Sequence, residues 1–188
     1  MLRQQQTTPI KTNKSIVRSE RVAEYLEKSG WKKEIAGNDF DKAVKAICMM
    51  FETGRGLLLT GSAGCGKTSL ARCIRRMLGL DGYSLYYCGS EEDLKELRSN
   101  TLELCNGSIV IDDIGVEETK KNFGNVEDTV GVFIQTYHLR GKGRFIGTTN
   151  MNAKDLGVKY GSRIVDRLLE MCVVMRFDGA SKRERIII

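Results

Sequence analysis

The chain has 188 residues, 41% of them hydrophobic, and a formal net charge of +6. That length lets one domain bury a core without disulfides or a structural metal, and the six cysteines form no CxxC pair and stand beside a single histidine, which argues against both a zinc site and a disulfide framework. Arg3, Lys11, Lys14 and Arg18 open the chain with no acid among them, so four of the six net charges lie there. The remainder is nearly neutral, and any anionic partner must be met by a local cluster.

The polar residues 1–18, which hold the only proline, Pro9, read as a flexible basic tail, and residues 19–188 as one domain. A helix is expected over residues 19–29, with Val22, Ala23, Tyr25 and Leu26 on one side and Gly30 at its end. Trp31 follows, a lone aromatic suited to the core or to the neighbourhood of a bound base. Asn38 or Asp39 is placed to cap a second helix with Phe40, Ala43, Val44, Ile47, Met50 and Phe51 inside, and Gly54 ends it. Strands and helices then alternate: strand 56–60, a helix after residue 66, strand 84–88, a helix from Ser90, strand 108–112, helix 126–139, strand 144–149, helix 162–171 and strand 172–177. Alternation of this kind predicts an α/β fold, a parallel sheet with helices on both faces.

Gly61-Ser62-Ala63-Gly64-Cys65-Gly66-Lys67-Thr68 carries the strongest chemical signal, a GxxxxGKT loop between an apolar strand and a helix. Small residues let backbone N–H groups close on a β-phosphate, and the helix N-terminus presents positive charge to it. The phosphate-binding set is Gly61, Ser62, Ala63, Gly64, Cys65, Gly66, Lys67, Thr68 and Ser69; Lys67 reaches the β/γ-phosphates and the Thr68 hydroxyl faces Mg²⁺. Cys65, at the helix N-terminus, is expected to be sensitive to alkylation. A second strand ends in Asp112-Asp113, where Asp112 suits the metal and Asp113 the attacking water, the alternative being a solvated strand end or a helix cap. A third ends in Thr148-Thr149-Asn150, with Asn150 placed to sense a γ-phosphate, although such residues also make ordinary turns. Arg163 and Arg167, four apart on one helix, are expected to project the same way, as phosphate contacts or as a solvated charged face. His138 reads as structural. The glycine turn and the aspartates are expected to grip a polyphosphate and its ion across adjoining sheet tips.

With residues 109–115 (IVIDDIG) as Walker B, Thr149-Asn150 as sensor 1, and Tyr160-Gly161-Ser162-Arg163-Ile164-Val165-Asp166-Arg167-Leu168 as a box VII segment, the chain resembles the AAA+ ATPases, and within them the DnaC/IstB-like helicase-loader group. The resemblance implies a P-loop NTPase with an AAA+ core, a parallel five-stranded sheet flanked by helices and no C-terminal helical lid. It implies ATP and Mg²⁺ as cofactors and catalytic roles for Lys67, Asp113, Asn150 and the arginines, with Arg167 the first and Arg163 the second choice for a finger acting on a neighbouring subunit's ATP. It implies an ATP-dependent homo-oligomer, single-stranded DNA as partner, a replicative helicase to load, and DNA contacts from Lys95 and Arg98, with Lys120 and Lys121 weaker. Arg183 is a candidate nucleotide contact, and Ile186-Ile187-Ile188 reads as an edge strand. Asp113 stands where many relatives have glutamate, which predicts slow or partner-stimulated hydrolysis. The rival functions are an IstB-like transposition helper and a P-loop module that holds nucleotide without turnover. No run of 18 apolar residues and no signal-like opening occur, so a cytoplasmic protein without membrane contact is expected.

Overall fold

The computed structural model describes residues 9–79, 85–118, 120–122 and 125–179. Residues 1–8, Ser84, Arg183 and Ile186-Ile187-Ile188, and the side chains of Lys120 and Lys121, lie outside that description.

The first helix, α1 (Pro9–Lys28), begins inside the segment expected to be a tail. Proline suits a first helical turn, where its fixed φ is helical and its missing N–H needs no partner. The sequence hides this because residues 9–18 show no apolar stripe. A short α2 (Lys33–Ala36) precedes α3 (Asn38–Thr53). Neither Asn38 nor Asp39 caps α3; Gly37 does, at φ 59. Asp39 lies within the first turn, buried, where it faces Lys42 Nζ at 3.7 Å and accepts from the Asp178 backbone N–H at 3.4 Å. Gly54 ends α3 in the left-handed region, as expected.

The remaining elements are β1 (Gly56–Thr60), α4 (Lys67–Met77), β2 (Leu85–Tyr87), α5 (Glu91–Ser99), α6 (Thr101–Leu104), β3 (Ile109–Asp112), β4 (Lys120–Asn122), β5 (Asn125–Glu127), α7 (Thr129–Arg140), β6 (Phe145–Thr149), α8 (Ala153–Tyr160), α9 (Ser162–Met171) and β7 (Cys172–Arg176). Ser90 caps α5 by accepting from the Asp93 N–H at 3.2 Å, but the Asp93 carboxylate reaches Tyr87 N at 2.7 Å and does not return the bond to Ser90. The helix expected from residue 126 starts instead at Thr129, capped by Asp128, because Val126 is taken by the antiparallel pair β4–β5. Helix α8, unforeseen, is short and holds Gly157; Asn152 caps it by accepting from the Asp155 N–H at 3.0 Å.

Five strands form one all-parallel sheet in the order β2-β3-β6-β1-β7. Alternation along each strand divides its residues between two cores. Leu57, Leu59, Val110, Ile146, Val173 and Met175 pack with α1, α3 and α4, whereas Leu58, Ile109, Ile111 and Phe145 pack with α7, α8 and α9. Strand β6 separates β1 from β3, so the two motif-bearing tips are not adjoining, and the tip of β6 stands between them. Gly56 admits no side chain, since a Cβ there would lie 2.0 Å from the Phe145 carbonyl oxygen. Among the described residues no helix is long and apolar enough to cross a membrane.

One arginine fixes the pose of α9. Arg55 donates to the carbonyls of Leu169, Glu170 (3.0 Å) and Cys172 (2.7 Å), satisfying acceptors that a helix end leaves free. Arg55→Ala is expected to lower unfolding free energy by about 1–2 kcal/mol, read from the urea midpoint at unchanged slope. All six cysteines are buried, Cys65 completely, so the expected alkylation sensitivity of Cys65 is not matched by access to its thiol. Burial also raises the thiols of Cys48, Cys88 and Cys105, and that of Cys172 to about 12, keeping them protonated at neutral pH. Thiol titration with a disulfide reagent is expected to find no fast-reacting group in the native chain and all six cysteines in denaturant.

Candidate functional site

The C-terminal ends of β1, β6 and β3 open on a cleft of about 540 Å³, lined on one side by Ala63, Gly64, Gly66, Lys67, Thr68 and Ser69 and on the other by Asp113 and Asn150. The loop from β1 to α4 holds Gly61, Gly64 and Gly66 at φ 145, 82 and 106, values that side chains of L-residues rarely take. Gly61 also runs against the segment after β7: a Cβ on it would lie 2.9 Å from that of Phe177. Glycine is required here by both conformation and close approach, and a glycine loop that leads into a helix N-terminus is the arrangement that offers backbone N–H groups to an anion.

Lys67 is only 4% exposed. Its ammonium donates to the carbonyls of Gly61 at 2.9 Å and Ser62 at 2.7 Å and to Asn150 Oδ1 at 2.7 Å. The same asparagine turns its Nδ2 toward Asp113 Oδ1 at 3.5 Å. A chain of polar contacts therefore runs from the glycine loop through the tip of β6 to that of β3.

Below it, Asp112 is buried and accepts from two hydroxyls, Thr68 Oγ1 at 2.9 Å and Thr148 Oγ1 at 2.6 Å. Thr148 Oγ1 accepts in turn from the Asp113 N–H at 2.9 Å, so one side chain orients both aspartates. Mg²⁺ is held in nucleotide sites by one or two protein oxygens and keeps several waters. The paired Thr68 hydroxyl and Asp112 carboxylate fit that ion, and the glycine curl with Lys67 fits a polyphosphate. Asp113 stands at φ 56, the one non-glycine residue at positive φ among those described. Such a conformation costs on the order of 1–3 kcal/mol and is held only where its surroundings enforce it.

The far wall of the cleft comes from the first helices: Gly30, Trp31, Lys32, Ile35 and Ala36 line it, with Tyr87 from β2. Trp31 stacks on Phe40 at 5.7 Å between ring centroids and meets Phe177 edge-on at 6.4 Å, so it serves the core and the cleft together. This apolar wall suits a nucleobase. The sequence pointed to Trp31 and to the strand end at Thr148-Thr149-Asn150, but it assigned Thr148 no role of its own, and Ile35, Ala36 and Tyr87 join the cleft only through folding.

Other expected residues lie elsewhere. Gly61 and Ser62 shape the loop from its other side, and Cys65 lies beneath it. Arg163 and Arg167 do not project alike: Arg163 is exposed, whereas Arg167 is 8% exposed and its Nη1 has no hydrogen-bond partner among the described residues. The apolar face of α9 turns Arg167 inward beside Ile164 and Leu168, so the i, i+4 spacing does not give both arginines the same access. Lys95 and Arg98 are exposed on α5, away from the cleft, and Arg98 donates to Thr129 Oγ1 at 2.9 Å. His138 pairs with Glu170 at 2.7 Å, linking α7 to α9, in keeping with a structural role.

Comparison with known proteins agrees with the fold and with an NTPase family. The family model of the novel STAND NTPase 3 family matches residues 40–186. Among solved structures, AMPPCP-bound DnaA from Aquifex aeolicus superposes with a TM-score of 0.50 at 17% sequence identity, over 75% of this chain and 47% of that one, so the chain spans about half the length of DnaA and shares its fold. No curated protein matches the chain. The match bears out the expected NTPase family at this coarser level; the DnaC/IstB-like group that the motifs resemble is not itself among these matches. Its glycine loop, twin aspartates and interposed asparagine lie on a five-stranded parallel sheet within the matched residues 40–186, and the chain belongs to the novel STAND NTPase 3 family.

Proposed function

We propose that this protein binds ATP with Mg²⁺ and hydrolyses it slowly, as a nucleotide-dependent switch. The observation that carries the reading is the continuous contact path Lys67–Asn150–Asp113 over the Thr68–Asp112 pair, all at one sheet edge. DnaA, of the same fold, holds an ATP analogue, which supports ATP as the nucleotide here.

In this reading the loop N–H groups and Lys67 hold the phosphates, and Trp31, Ile35 and Ala36 enclose the base. Mg²⁺, when bound, neutralises charge developing on the phosphates. Asn150 orients an attacking water, and Asp113 accepts its proton. The ammonium of Lys67, already held by three oxygens, needs only to exchange carbonyl partners for phosphate ones, which limits the reorganisation that binding requires.

Assembly and DNA enter through the likeness of the box VII segment and α5 to the DnaC-like helicase loaders. On this reading the chain assembles with ATP, and a neighbour's arginine completes each site. The burial of Arg167 moves the preference to exposed Arg163. Single-stranded DNA is assigned to α5, where Lys95 and Arg98 are exposed, although Glu91, Glu92 and Asp93 on the same helix weaken the field.

Lys67→Ala is expected to weaken AMPPCP binding at least about tenfold by calorimetry. Asp113→Asn is expected to bind normally and to lose roughly 10²-fold in single-turnover hydrolysis; parental cleavage by that variant would remove Asp113 from catalysis, and a parent that binds but never cleaves would leave a nucleotide-holding module. Arg163→Ala is expected to abolish growth in solution mass on adding AMPPCP with an oligonucleotide. For DNA, anisotropy of a labelled single strand should rise only with AMPPCP and fall in Lys95→Ala; a preference for duplex would support the transposition-helper reading instead.

A further inference from the structure

The turn that carries the chain out of β3 stores strain. Asp113 sits at φ 56 and Gly115 at φ 105, with the Val116 N–H closing on the Asp113 carbonyl at 3.1 Å. At the end of this turn stands Glu117, whose side chain is 9% exposed. Its Oε2 accepts from the Gly115 N–H at 3.1 Å, and its Oε1 accepts from the Tyr160 phenol. Lys159 donates to the Glu117 backbone carbonyl, and its Nζ lies 3.8 Å from Oε1. Lys159 and Tyr160 end α8, just before Gly161 redirects the chain into α9.

A buried carboxylate is costly unless its lone pairs are matched. Here they are matched by the turn's own N–H on one side and by the end of a distant helix on the other. Burial and the neighbouring Glu117 charge hold the Tyr160 phenol above its ordinary range, so it remains a donor. Asp128 and Cys88 also face this cluster, and burial keeps the Cys88 thiol protonated. None of Glu117, Lys159 or Tyr160 lines the nucleotide cleft.

We infer that Glu117 is a positioning residue for Asp113: it clamps the strained turn to the α8–α9 junction and so holds the Asp113 carboxylate beside Asn150. This rests on the reading of Asp113 as the group that accepts the water's proton. Releasing the clamp lets the turn relax and the carboxylate drift, which lowers the rate of cleavage. Nucleotide affinity, set by the glycine loop and Lys67, does not change.

The test compares the full chain with Glu117→Ala, Glu117→Gln, Tyr160→Phe and the Glu117→Ala/Tyr160→Phe double variant, measuring AMPPCP affinity by calorimetry and single-turnover ATP cleavage. Glu117→Ala is expected to slow cleavage about tenfold or more while leaving affinity within about twofold. Glu117→Gln, whose carbonyl can serve the Gly115 N–H and whose amide can serve the phenol oxygen, is expected to recover to within about threefold of the parent. Tyr160→Phe is expected to slow cleavage about threefold, and the double variant to be no slower than Glu117→Ala, since both act through one contact. Parental rates in Glu117→Ala or Tyr160→Phe, a rate loss that merely tracks lost affinity, or fully multiplicative effects would overturn the inference. Should Glu117→Ala fail to fold, Tyr160→Phe decides: slowed cleavage at unchanged affinity supports the clamp and a parental rate overturns it. A parent that binds AMPPCP and cleaves no ATP overturns the reading of Asp113 and the clamp with it, whereas a cleaving parent matched by its variants overturns the clamp alone.

Discussion

Parallel pairing sends every strand of a sheet toward the same edge, and in this protein that single constraint collects the chemistry. Strands β1, β6 and β3 end side by side, and each tip delivers one part of the site: the glycine loop, Asn150, and the two aspartates. The order of the strands is as important as their direction. Because β6 lies between the other two, an asparagine amide fills the gap between a buried ammonium and a strained carboxylate, meeting the first at 2.7 Å and the second at 3.5 Å.

The site is preorganised by groups that never touch a nucleotide. Thr148 gives its hydroxyl hydrogen to Asp112 and takes the Asp113 N–H, so both aspartates at the tip of β3 are held by β6, the strand beside it. Arg55 ties down the end of α9, and Glu117 ties the turn after β3 to the end of α8. In each case a polar side chain joins two elements through directed hydrogen bonds, which fixes their relation more tightly than apolar packing alone. Lys67 follows the same pattern: only 4% exposed, its ammonium is met by three oxygens, from Gly61, Ser62 and Asn150.

Much of this was legible from residue types alone, for reasons that are local. The strands of the main sheet were readable because each is a short apolar run bounded by turn residues, and the glycine loop because only glycine tolerates its φ values. Short elements escaped. Helix α8 has only eight residues and an internal glycine, α2 and α6 are single turns, and the β4–β5 pair has no apolar alternation to announce it. The start of α1 was missed because a helix can begin on a proline without showing any apolar stripe.

What the sequence determined by itself, then, was the set of parts: a phosphate loop, a carboxylate pair, an asparagine and a helix bearing two arginines, each encoded in consecutive residues. The tertiary structure decided which parts meet. Strand order placed Asn150 between Lys67 and Asp113, the packing of α9 buried Arg167 and left Arg163 outside, and the first helices brought Trp31, Ile35 and Ala36 to the cleft. Those relations depend on pairings between residues far apart along the chain, and no periodicity within a single segment encodes them.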